Sequence, residues 1–213
     1  MEIKKYLVEA IGTLFLSLVM VTACNNGAAS NLAPFAIGAM LTGMIFAGSH
    51  ISEAYYNPAI TVAFFMRGRI TLNDLIGYSI AQIVGGIIGA LLAQTVLRGI
   101  ETTHDAVPKI LDIAPALMAE ILGTFALTYV FLHSTLAPAN AGNSFYGIAI
   151  GLTLMACIYS LGPASGGVFN PAIAIACAVA NMQDFKNIWI FFVGNFGGAA
   201  LAAVLYHYLT AEA

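Results

Sequence analysis

Two short motifs hold the first chemical clue in this chain. Asn57-Pro58-Ala59 and Asn170-Pro171-Ala172 repeat the same three residues 113 positions apart, and each opens an apolar run of only nine or ten residues, 58–66 and 171–180. Asn is a good N-cap and Pro fits the first helical position, so one copy alone marks no more than a helix start. Two copies at matching places in a repeat mean more. The Asn side-chain oxygen can cap its own helix while the amide NH2 is left as a donor, and the two helix N-termini aim positive dipole ends at one point. Such a point repels cations and protons and offers hydrogen bonds to neutral molecules. A second pair, Glu9 and Glu120, lies inside apolar runs, where an acid costs roughly 2.5 kcal/mol or more to insert. Their matched surroundings, Glu9-Ala10-Ile11-Gly12-Thr13 and Glu120-Ile121-Leu122-Gly123-Thr124, favour a satisfied interior role over an interfacial one, with proton coupling as the sharper alternative.

The elements that must position these residues follow from composition. Of 213 residues, 60% are hydrophobic and 8% charged, against about 25% charged in soluble domains. Lipid is therefore the expected solvent. Apolar stretches at 6–24, 34–49, 75–97, 114–133, 145–161 and 188–209 predict six membrane-spanning helices. The runs headed by Asn-Pro-Ala are about half the roughly 20 residues a span needs, which predicts re-entrant half-helices lining a pathway. Lys4 and Lys5 before the first run suggest a signal peptide, but the run is long, holds Glu9 and lacks a small-residue cleavage site. The expected fold is an all-α membrane protein, a single channel domain over 1–213.

Three motifs recur in the same order. Glu9 and Glu120 lie 111 residues apart, Asn57 and Asn170 lie 113 apart, and Gly85-Gly86 and Gly197-Gly198 lie 112 apart. That pattern predicts a duplicated unit, approximately 4–98 and 114–210, of three spans and one half-helix. An odd number of spans inverts the second copy, so the half-helices meet from opposite faces near the midplane. Lys4, Lys5, Arg67 and Arg69 fall on one side and Arg98, Lys109 and Lys186 on the other; with the first helix weighted most, the N-terminus is expected in the cytoplasm and the protein in a plasma (inner) membrane. Gly85, Gly86, Gly89, Gly194, Gly197 and Gly198 are expected to let helices approach closely. Trp189, Tyr6, Tyr206 and Tyr208 are read as interfacial anchors.

The chain resembles the aquaporin, or major intrinsic protein, family. The resemblance covers nearly the whole chain and rests on both Asn-Pro-Ala motifs with their preceding loops, Ser49-His50-Ile51-Ser52-Glu53-Ala54-Tyr55-Tyr56 and Ser165-Gly166-Gly167-Val168-Phe169, on both Glu-x-x-Gly-Thr motifs and on Gly77-Tyr78 through Gln82 to Gly86. It implies six tilted helices, two re-entrant half-helices, one pore per protomer and a homotetramer. In the family the matching acids hold the loop backbone, which gives Glu9 and Glu120 that role by resemblance.

Departures from the family bear on selectivity. Water-selective members place an Arg after the second Asn-Pro-Ala, and this chain has Ile173 there. Counting from the two Asn residues, the other filter positions fall on Ile37, Ile158 and Gly167, with Ala36 and Cys157 as neighbours in register. Three Ile and a Gly predict an apolar ring, wider at Gly167, that passes water and small neutral solutes such as glycerol, urea, ammonia and metalloid hydroxides. A narrow, poorly conducting ring closed by β-branched side chains is the alternative. Glu53 and Tyr55 replace the family's usual Gly and His in a loop, Glu53-Ala54-Tyr55, that lines the pore in relatives. Glu53 either braces the loop or places a charge in the lumen, and His50 is read as structural.

Other classes of function are a secondary transporter, which shares inverted repeats and broken helices but needs coupling carboxylates, and a closed structural membrane protein. Enzymatic activity, a metal and a cofactor find no support: His50, His104, His133 and His207 are scattered, and Cys24, Cys157 and Cys177 lack ligand spacing and read as packing residues. Seven scattered cations give no footing for nucleic acid. The expected partners are the lipid bilayer, water and small neutral solutes.

Overall fold

The computed structural model describes residues 2–25, 27–98 and 111–210; Lys109 and His104 lie outside them. Eight α-helices follow in order: α1 Glu2–Cys24, α2 Ala33–Ser52, α3 Pro58–Met66, α4 Leu72–Val96, α5 Ile113–Leu136, α6 Tyr146–Ser165, α7 Pro171–Val179 and α8 Ile188–Thr210. Six of them, all but α3 and α7, are long and apolar enough to cross a membrane. The two exceptions have nine residues each, about 14 Å of helix and half of a hydrocarbon core of about 30 Å.

Apolar residues lie outside as well as inside. Ile80, Leu122, Leu152 and Leu201 are each half-exposed or more on their helices, as a lipid-facing surface requires. With lipid outside, burying apolar area adds little drive, so helices associate by close packing and interhelical hydrogen bonds. Glycine supplies the first. A Cβ at Gly85 or Gly89 of α4 would overlap the Ala10 or Leu14 carbonyl of α1, and one at Gly198 of α8 would overlap the Ile121 carbonyl of α5. The second is seen where Ser17 donates to the Gly86 carbonyl (2.7 Å) and Thr42 to the Gly147 carbonyl (3.2 Å). Gly197 departs from the expected packing role, since none of the described residues comes within 4 Å of where its Cβ would stand. Its neighbour Gly198 faces α5, and two successive helix positions cannot share that face.

Helix ends extend past the apolar runs because caps, rather than hydropathy, stop them. Thr71 accepts the Asp74 N–H and starts α4 three residues early. Two left-handed residues, Glu53 (φ 68°) and Gly166 (φ 99°), end α2 and α6 and turn the chain back into the protein. Of the expected interfacial aromatics, Trp189 and Tyr208 are exposed, whereas Tyr206 is buried. Its ring lies between Arg67 and His133, with centroid distances of 5.9 and 4.9 Å, so it packs the end of α8 against α3 and α5.

Candidate functional site

The two loops before the half-helices are built alike, each around one buried acid. Glu9 accepts hydrogen bonds from Ser52 Oγ (2.7 Å), the Tyr55 and Tyr56 backbone N–H groups (3.0 and 2.7 Å) and Gln82 Nε2 (2.8 Å). Glu120 accepts from Ser165 Oγ (2.6 Å), the Val168 and Phe169 N–H groups (3.1 and 2.7 Å) and Asn195 Nδ2 (2.6 Å). Both acids are fully buried, and each holds two loop N–H groups that have no other partner among the described residues. Neither lines the lumen described below. The Gly three residues after each acid has a matching purpose. Gly12 leaves room for the ring of Tyr56, and Gly123 for the ring of Phe169, the same residues whose N–H groups the acids hold. Tyr56 (φ 52°) and Phe169 (φ 50°) sit in the left-handed region, unfavourable for a side chain. The carboxylate bonds to their N–H groups hold that turn in place.

The left-handed turns aim Asn57 and Asn170 at each other's loops. Asn57 Oδ1 accepts from the Ala59 N–H (2.9 Å) and Asn170 Oδ1 from the Ala172 N–H (3.0 Å), each capping its own half-helix. The amides then cross. Asn57 Nδ2 donates to the Phe169 carbonyl and Asn170 Nδ2 to the Tyr56 carbonyl, both at 2.9 Å. The whole NH2 group was expected to be free; one of its two protons is committed to the opposite loop, and one N–H per Asn remains. Pro58, Ala59, Pro171 and Ala172 are buried behind the Asn pair and do not touch the lumen.

The lumen brings Ile37, Ile158, Gly167 and Ile173 together with Asn57 and Asn170 along a single cavity. Its walls are otherwise apolar, from α1, α2, α5 and α6, and its volume is about 20 Å³, a narrow passage. Cys157 is buried off this path. The lumen is not widened at Gly167: a Cβ there would point at Ile158 and Gly162 of α6, 3.2 Å from their Cα atoms, and φ is 68°. The missing side chain is therefore required by the turn and by α6, not by the passage.

A second cavity of about 400 Å³ opens on the near face, the side from which α1 starts, between the α2–α3 and α5–α6 connections. Glu53, His50 and Arg69 line it, all exposed. The Glu53 backbone ends α2, and its carboxylate accepts the Tyr55 hydroxyl of the same loop, its one hydrogen bond among the described residues. His50 likewise faces the cavity rather than the core. Ala54 is fully buried and lines neither space, while Tyr55 reaches the lumen.

Four partners of the acids were missed in the sequence, Ser52 and Ser165, Gln82 and Asn195. Each pair is separated by the same 113 residues as the two Asn, so the repeat offset already marked them. Phe131 on α5, which lines both cavities, carried no such signal.

The family model for major intrinsic proteins matches residues 1–206. The chain belongs to the aquaporin, or major intrinsic protein, family. This aquaporin-family chain is 34% identical to probable aquaporin TIP2-2 of Oryza sativa subsp. japonica, over 98% of its own length and 88% of the relative's. It is 30% identical to aquaporin NIP1-1 of Zea mays over 96% and 74% of the two chains. In fold it matches the aquaglyceroporin from Plasmodium falciparum along the whole of both chains, with a TM-score of 0.86 at 16% identity. It is an integral membrane protein of a channel family.

Proposed function

We propose that this aquaporin-family protein is a passive channel for water and for neutral solutes of about water's size, ammonia among them. The observation that carries the reading is the lumen itself: apolar at Ile37, Ile158 and Ile173, polar at the Asn pair, and about 20 Å³ in volume. A ring without a fixed cation cannot discriminate by matched donors and acceptors, so size and the loss of hydration select. Glycerol and urea have more polar groups than the two remaining Asn N–H groups can satisfy, and both are larger than water in a narrow lumen. They are expected to pass more slowly than the sequence alone suggests.

Ion exclusion belongs to the same reading. Two half-helix N-termini and two Asn donors present positive ends to the lumen, which disfavours a proton or cation. A pH-sensitive dye inside proteoliposomes is expected to record no proton leak comparable to the water flux; a comparable leak overturns this part. Ion-coupled transport is disfavoured because both intramembrane acids, Glu9 and Glu120, each accept four hydrogen bonds away from the lumen. We further propose a homotetramer in a plasma (inner) membrane with the near face cytoplasmic, the side that carries Lys4, Lys5, Arg67 and Arg69.

Stopped-flow light scattering on proteoliposomes with water, ammonia, urea and glycerol gradients tests the channel. Water and ammonia permeation above protein-free liposomes is expected, and accumulation of solute against its gradient would refute passive transport. Ile173→Arg restores a cation to the ring and is expected to lower ammonia and urea flux relative to water. An unchanged solute profile removes Ile173 from the constriction.

A further inference from the structure

Aromatic rings stand where the lumen and the near-face cavity share a wall, at Phe131. Tyr55 and Phe131 line the lumen, Phe64 and Phe131 line the near-face cavity, and all three side chains are at most 2% exposed. Their centroids form a closed triangle, Tyr55 to Phe64 4.3 Å, Phe64 to Phe131 5.3 Å and Tyr55 to Phe131 6.0 Å. Rings at these separations are in contact and leave no passage between them. The three come from different elements, the loop after α2, α3 and α5. Tyr55 also reaches both spaces. Its ring touches the lumen, and its hydroxyl donates to the Glu53 carboxylate, which stands in the near-face cavity. Glu53 has no ion-pair partner within reach among the described residues, so the Tyr55 hydroxyl is its chief protein contact.

We propose that Tyr55, with Phe64 and Phe131, forms the constriction that limits permeation, and that Glu53 keeps it closed by holding the Tyr55 hydroxyl. This rests on the channel reading and adds a specificity-determining residue on the side of the Asn pair away from the Ile ring. A solute leaving the lumen must displace the Tyr55 ring, so the collar sets both the rate and the upper size of what passes. Glu53 acts only through Tyr55 and is a positioning residue. A hydrogen bond to a charged group shifts a two-state population by about tenfold; removing it is expected to raise flux by up to that factor.

Water and ammonia permeation, with the activation energy for water, would be measured in proteoliposomes for the wild type, Tyr55→Ala, Tyr55→Phe, Glu53→Ala and Glu53→Gln. Tyr55→Ala is expected to raise both fluxes most, to lower the activation energy and to admit urea. Tyr55→Phe and Glu53→Ala are expected to raise flux to a similar, smaller extent, and the two together no further than either alone. Glu53→Gln keeps an acceptor for the hydroxyl but loses its charge, and is expected to fall between wild type and Glu53→Ala. Because Tyr55 is buried, Glu53→Ala, an exposed change, guards against a folding defect. If the wild type conducts and neither Tyr55→Ala nor Glu53→Ala alters rate, size limit or activation energy, the collar is refuted while the channel stands. If the wild type and all four variants match empty liposomes, the channel reading falls and the collar with it.

Discussion

Glu120→Ala is expected to remove the folded protein, not merely to slow it. The carboxylate accepts from two backbone N–H groups and from Ser165 and Asn195, in a site with no exposure to solvent. Each buried donor left without an acceptor costs about 1–3 kcal/mol, and four together rival a whole stability of about 5–15 kcal/mol. The loss is also local to the site. Phe169 stays in its left-handed turn because Glu120 holds its N–H, and the Phe169 carbonyl in turn receives Asn57 Nδ2. Size-exclusion profiles and thermal unfolding in detergent would register the change, with Glu9→Ala expected to match it through the equivalent bonds of the first loop. Glu120→Gln keeps one acceptor oxygen and should fall between. A Glu120→Ala protein with wild-type thermal stability would mean that the loop is held by something else.

Gly85→Leu has the second large effect, and its control is built into the chain. A Cβ at Gly85 would stand 2.1 Å from the Ala10 carbonyl oxygen of α1, and backbone cannot move aside as the end of a side chain can. The cost is expected to exceed the about 1–3 kcal/mol of ordinary overpacking, since the α1–α4 contact must open along its length. A Cβ at Gly197 or Gly43 meets nothing within 4 Å among the described residues, so Gly197→Leu and Gly43→Leu should leave folding and flux near wild type. Thermal stability in detergent for the three variants gives the comparison. Equal loss in all three would argue that the glycines matter for helix flexibility, and equal tolerance that the close α1–α4 crossing is absent.

Much of this arrangement was legible because the chain states it twice. α3 begins and ends where the short apolar run does, at Pro58 and Met66, and Pro171 likewise opens α7. The span ends were less legible. α4 begins at Leu72, ahead of its apolar run, because Thr71 caps it, and α6 continues to Ser165, whose hydroxyl Glu120 requires. Neither end is marked by hydropathy. Tyr206 read as an interfacial anchor for the same reason: its place near a helix end is visible, but the Arg67 and His133 side chains that cover it come from α3 and α5.

The sequence by itself determined the membrane as solvent, the two half-helices and the paired acids. Each is written in residue type, run length or a repeat offset, properties that survive without contacts. Tertiary structure decided what the groups do with one another. It spent one proton of each Asn amide on a carbonyl 112 or 114 residues away, turned the empty side of Gly167 towards α6 instead of the lumen, and brought Phe131 to Tyr55. These depend on segments far apart along the chain meeting at a few ångströms, and no local pattern encodes such a meeting.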